Sequence, residues 1–286
     1  MKRTLDKVSA ARAILAGALL ALAAYLTVRG YDFYRLGLDA RVDHPDFRAL
    51  RPSGLVGHGY GIVGTLLILT NLLYLLRRRL ASARLGSMRL WLELHSFTGL
   101  AGAMLIAFHS AFQLRSQIAT TTALSLAVVV LTGIVGRFIV ALTSRDDGRL
   151  DEGMLRLEAA LPGAGPAVRT LLADQPPFQI DARASLRRVL ATLSRWRRDA
   201  DLRREAVRLY VGNHGGLAAL APSHRQEVRA LGHHLGDLAA GEVRAVAAAA
   251  FLRSWRSLHR LFALLMLTTV VVHIGVAWHY GYRWIF

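Results

Sequence analysis

The sequence predicts an all-α, polytopic membrane protein: a five-helix transmembrane bundle with a helical cytoplasmic insert between helices four and five. Three observations predict it. Apolar runs of about 20 residues recur, each the length an α-helix needs to cross the hydrocarbon core, in a chain that is 53% hydrophobic with a mean hydropathy of +0.34. Arginines cluster between the runs and give a formal charge of +17. One stretch, 144–254, breaks the pattern: it is polar, Ala/Leu/Arg-rich and punctuated by Pro162, Pro166, Pro176 and Pro177.

The first span, about 10–28, follows a polar start with Lys2, Arg3 and Lys7. Its length favours a transmembrane helix over a signal peptide. Residues 29–54 form a polar loop with five Arg and four Asp. The second span, about 55–76, opens Gly57-His58-Gly59-Tyr60-Gly61, with Gly64 following. Small residues at this density let a helix or a flat cofactor approach closely. Arg77, Arg78, Arg79, Arg84 and Arg89 fill the next loop and place it in the cytoplasm by the positive-inside rule. The third span is about 90–114. A short outer connection makes the fourth, about 121–142, its antiparallel neighbour. The insert follows, with helical apolar spacing over 182–196, 202–210 and 226–239. The fifth span starts near 255, so the chain divides into 1–143, 144–254 and 255–286. The aromatic tail from His279 suits an interface on the outer side. The N-terminus and insert are thus cytoplasmic, the C-terminus is outside, and the chain is a multi-pass protein of the inner (cytoplasmic) membrane.

Two spans carry histidines at the same spacing. His95 and His109 are fourteen residues apart on the third span, and His259 and His273 are fourteen apart on the fifth. Fourteen steps of an α-helix return to within about 40° of the starting face and climb roughly 21 Å. Each helix therefore offers two imidazoles on one stripe, one per leaflet. In the predicted topology both spans run inside to outside, which pairs His95 with His259 at the inner face and His109 with His273 at the outer. His44 and His58 share the spacing, but His44 precedes Pro45 in a loop. Intramembrane histidine is costly unless buried and partnered, and imidazole is a ligand for haem iron. The four histidines are the candidate axial ligands of two haem b groups with irons roughly 20 Å apart. The chain has no cysteine, which excludes disulfides, Cys-ligated iron–sulfur clusters, covalent c-type haem and thiol catalysis within it.

Other residues are candidates through these four. Gly99 and Gly102 lie close to the His95 stripe and leave room for porphyrin packing. Arg89, Arg256 and Arg260, with Arg137 from the fourth span, are candidate propionate partners at the inner haem, and Arg115 at the outer, because guanidinium binds carboxylate bidentately. The bland alternative is interfacial anchoring. His58 and His279, near the outer end, are candidates for a quinone site, a proton relay or a third haem. His214, His224, His233 and His234 lie in the insert without a completing carboxylate or cysteine cluster and are read as solvated. No hydrolase or transferase constellation is present.

With His95, His109, His259 and His273 in these positions, spans two to five resemble a transmembrane di-haem b-type cytochrome, the core of respiratory cytochromes b and of ferric-reductase-like membrane domains. The resemblance implies mid-span glycine on a haem-bearing helix, matched by Gly99 and Gly102. The insert of about 110 residues departs from the pattern, and no flavin- or nicotinamide-binding domain is visible. The expected function is an electron-transfer subunit of an oxidoreductase complex, carrying electrons between the quinone pool and a partner protein. That partner is a flavin or iron–sulfur protein on the cytoplasmic side or a cytochrome on the outer side. Alternatives are a transmembrane reductase delivering cytoplasmic electrons to ferric iron or oxygen, and a non-redox membrane scaffold. Membrane lipid is the expected contact of the basic residues, and nucleic acid is not expected.

Overall fold

A computed structural model describes residues 2–80, 86–114, 116–143, 148–175 and 186–280, with the side chains of 2–8 and 186–194 left out. Arg84, Arg115 and the tail beyond Tyr280 lie outside the described residues. The described residues are all-helical, 85% helix, with no strand among them. Five helices are long and apolar enough to cross a membrane: α1 (Lys2–Tyr34), α3 (Leu55–Leu80), α4 (Met88–His109), α5 (Gln117–Leu142) and α9 (Pro222–His279). A short α2 (Phe47–Leu50) interrupts the loop after α1. The helices α6 (Arg149–Ala160), α7 (Ala164–Ala173) and α8 (Leu186–Gly212), with a 3-10 turn at Gly215–Ala219, lie between α5 and α9. The chain forms two compact units: Met1–Gly133 with Leu261–Phe286, and Ile134–Arg260.

The first unit is built around the pairing of α3 with α4. Contacts step up one helix as they step down the other, so the pair is antiparallel and in register throughout. The His95 ring lies against Tyr74, with centroids 4.9 Å apart, and Thr98 Oγ1 donates to Asn71 Oδ1 at 2.8 Å. At the crossing, a Cβ on Gly102 would sit 2.8 Å from Gly64 O, and one on Gly64 would sit 2.9 Å from Gly102 O. Any side chain at either position would push the backbones apart. α1 packs on the same pair: Leu26 meets Leu105 and Phe108, with Tyr60 and Met104 around them. On α5 and α9, Thr122 Oγ1 donates to Thr269 O at 3.2 Å and Ser125 Oγ lies 3.0 Å from Thr269 Oγ1. Such hydroxyl contacts join helices where no aqueous hydrophobic force acts between them. Away from these contacts α3 exposes Leu66, Leu69, Leu73, Leu76 and Leu80, each at least 37% exposed. Helical spacing puts these leucines on one stripe, an apolar face that water would penalise and lipid would not.

α4 ends at His109, five residues before the expected limit of 114. Ala111 and Phe112 take left-handed backbone, at φ 48° and 59°. Neither is glycine, so this turn is a strained one held by tertiary contacts. Arg41, 7% exposed, is the clamp: its guanidinium donates to Ala111 O at 2.8 Å, Leu36 O at 2.9 Å and Tyr34 O at 2.6 Å. Around it Phe33, Leu50 and Ala111 form a small buried cluster. The loop read as simply polar thus closes one end of the unit.

The second unit has its own core, with Met154 and Leu157 of α6, Leu161 just after it, Val168 of α7, Val207 and Val211 of α8, and Val228 and Leu235 of α9. Glu158 accepts from the backbone N–H of Gly163 at 2.8 Å and of Gly165 at 2.9 Å, so one carboxylate satisfies the orphan donors at the start of α7. The expected boundary at 254/255 falls inside a helix. α9 starts on a proline, which suits the first helical turn, and no proline follows through His279. Its alanine-rich run 245–250 has no reason to break. The division into units also moves to Ile134 and Arg260. Within the second unit, Gly136 packs closely on Trp255, with a Cβ on the glycine 3.3 Å from the indole, which draws the end of α5 in with the insert.

Arg41→Met keeps the apolar stem and removes the donors of three carbonyls. It is expected to destabilise the chain by roughly 3 kcal/mol, because buried acceptors left without a donor cost about 1–3 kcal/mol each. Thermal unfolding in detergent measures this. Arg41→Lys should recover only part of the loss, since one ammonium cannot span three diverging carbonyls.

Candidate functional site

His109 is the last residue of α4, and the first turns of α3 define its surroundings. Its Nδ1 lies 2.8 Å from the carbonyl oxygen of Gly57. One helical turn further on, Gly61 has no side chain, and a Cβ there would lie 2.8 Å from Nδ1 and 2.9 Å from Cε1 and Cγ of the ring. The imidazole therefore rests directly on the backbone of α3. His58 lies beside it, with ring centroids 6.3 Å apart and planes at 70°. The structure thus brings His109 and His58 together at one end of the first unit, the end closed by Arg41; His273 is on α9 in the same unit.

The other candidates are distributed as follows. His95 is half-buried on α4 against Tyr74. His259 is half-buried on α9 in the second unit, one turn after Trp255. Arg137 follows Gly136 on α5, and Arg256 follows Trp255; both are half-buried. Arg260 turns back on its own helix, donating to Arg256 O and Ser257 Oγ at 3.2 Å each. Arg89 is exposed near the start of α4. His279 ends α9, exposed and edge-on to Tyr280 at 5.4 Å. Of the glycines proposed for porphyrin packing, Gly102 has its open face filled by Gly64 and Ile68 of α3, and Gly99 faces Asn71 at 3.4 Å. Both serve the α3–α4 contact, because the glycines of α3 and α4 meet each other.

The donor set suits a haem. Among the described residues no group of three or more His, Cys, Asp or Glu is placed to hold a bare metal ion. A bis-histidine haem needs only two protein ligands, because the porphyrin supplies the other four nitrogens. At the His109 end Nδ1 is engaged by Gly57 O, and Nε2 is clear of hydrogen bonds among the described residues. No step of chemistry beyond ligation is offered by carboxylates or nucleophiles around them.

Two charged residues here have roles the sequence did not show: Arg77 stood there only as part of the cytoplasmic arginine cluster, and Glu93 was not singled out. Arg77, 6% exposed, is no surface anchor: its Nη2 donates to Gly86 O at 2.8 Å, just before the start of α4. Glu93, also 6% exposed, accepts from Arg12 Nε at 3.1 Å and Nη2 at 2.8 Å. This ion pair joins α1 to α4 near the His95 end. An acidic residue inside an otherwise apolar span was the available signal, since such a charge survives only with a partner.

No family model matches the chain, and no curated protein and no solved structure matches it.

The Glu93 carboxylate is buried and Arg12 reaches it from an exposed position, so removing the cation is worse than removing the buried charge itself. Arg12→Gln, which leaves the Glu93 carboxylate without this guanidinium, is expected to lower the unfolding temperature more than Glu93→Gln. The double variant should lose less than the two losses added. Thermal scans of the three variants in one detergent test this, and strict additivity would mean that the pair contributes nothing.

Proposed function

We propose that the chain is a haem b membrane subunit of a respiratory or redox complex, carrying electrons across the bilayer between the quinone pool and a partner redox protein. The observation that carries this reading is the His109 end of the first unit. There an imidazole is fixed by a backbone carbonyl through Nδ1, which leaves Nε2 for iron, and His273 stands on another membrane-length helix of the same unit. A ligating histidine commonly donates its other ring N–H to a backbone carbonyl in this way, which fixes the ring's tautomer and orientation. His109 and His273 would hold the outer haem. The inner haem on His95 and His259 rests on the repeated fourteen-residue spacing. When bound, each haem would supply a one-electron carrier, held by its two histidines.

The chain's own residues do the rest. Gly57 and Gly61 seat His109, Arg41 fixes the turn that follows it, and the apolar faces of the helices keep water from the ligands. His58, beside His109, is the candidate to take up or release the proton that accompanies quinone chemistry. Arg89, Arg137, Arg256 and Arg260 remain the candidate propionate partners of the inner haem.

The purified chain, expressed with haem supplied, is expected to give a reduced-minus-oxidised b-type spectrum and two haems per polypeptide by pyridine haemochrome. His109→Ala or His273→Ala should each leave about one. A folded chain without a Soret band would remove the reading.

Membrane sidedness is tested separately. The native chain has no cysteine, so single cysteines report cleanly. Asp39→Cys is expected to react with an impermeant maleimide from the outside, and Arg78→Cys and Glu227→Cys only after the membrane is opened. Labelling of all three from one side would overturn the topology.

A further inference from the structure

We infer that α3, which donates no axial ligand, is the positioning element for His109: Gly57 O fixes the tautomer of the ring and Gly61 its place, so that Nε2 is the nitrogen presented. The consequence for a haem rests on the proposed function; the seat itself does not.

A carbonyl oxygen carries no proton. At 2.8 Å from Gly57 O, Nδ1 must therefore be the donor, and the neutral ring is the Nδ1–H tautomer. Nε2 is then the basic nitrogen. A hydrogen bond of this kind also raises the basicity of the ligand. The ring reaches the carbonyl only because Gly61 lacks a Cβ, which would come within 2.8 Å of Nδ1. Methyl and imidazole cannot share that space, so Gly61→Ala must move the ring and lengthen or break the bond. Gly64 provides the control. It is as tightly packed, with a Cβ 2.9 Å from Gly102 O and from Ile106 Cγ1, but its contacts are with the crossing and not with the ring. Both substitutions strain the same helix pair, and only one acts on His109.

The full-length chain is prepared in detergent in two forms, haem-free with 15N-labelled histidine and haem-loaded. In the haem-free wild type, the histidine signal that disappears in His109→Gln is expected to show the Nδ1–H tautomer. Gly61→Ala should convert it to a mixture, and Gly64→Ala should leave it unchanged. In the loaded protein, Gly61→Ala should change the low-spin resonance of one haem and raise that haem's midpoint potential, since a less basic ligand stabilises ferric iron less; Gly64→Ala should do neither. An Nε2–H tautomer in the wild type, or the same response to both glycine variants, overturns the inference. If Gly61→Ala does not fold, the wild-type tautomer decides alone. A wild type that takes up no haem but shows the Nδ1–H tautomer would sink the haem reading and uphold the seat.

Discussion

The contact of Gly64 with Gly102 sets the spacing of the first unit. Between helices in lipid no aqueous hydrophobic force acts, so association depends on close van der Waals approach and a few polar contacts. Here the backbones come so near that each glycine's missing Cβ would fall within 2.9 Å of the other's carbonyl oxygen. Because the crossing is antiparallel and in register, it also decides what meets at its two ends. Gly61 comes to lie under His109, and Tyr74 against His95.

Two of the many arginines serve the backbone rather than the solvent. Arg41 and Arg77 are both buried and both donate to carbonyls that lie between helices. Helix ends leave carbonyls without intrahelical partners, and in an apolar setting such groups cost several kcal/mol if left so. A guanidinium, with five donors in a planar fork, can serve several of them from one stem. Arg78, Arg79 and Arg89, by contrast, are exposed and fit the anchoring role that a charge count assigns to the whole cluster.

The spans were legible because membrane-length apolar runs are a property of composition: 55–76 lies within α3 and 121–142 within α5. The end of α4 was not legible. Ser110-Ala111-Phe112 carries neither glycine nor proline, and its left-handed backbone depends on Arg41, 70 residues away. The continuity of α9 was missed for a different reason. Its polarity changes from polar to apolar along one unbroken helix, and a change in environment was read as a change in structure. At the site, the fourteen-residue spacing of the histidines is written in the chain, but the seat of His109 is not. It depends on the register of α3 against α4, across a separation of 52 residues. The burial of Glu93 likewise depends on Arg12, 81 residues away.

The two histidines of α4 face the same neighbour and find different chemistry there. At Gly57 and Gly61 the helix offers a bare backbone and a carbonyl acceptor. At Tyr74 it offers an aromatic face, 4.9 Å from the His95 ring and tilted by 37°. A carbonyl acceptor orients a neutral ring by accepting a hydrogen bond from one of its nitrogens; an aromatic face packs on the ring without choosing between them. One helix therefore imposes different surroundings on two positions of the same residue type, and the residues that set the difference are Gly57, Gly61 and Tyr74 rather than the histidines themselves.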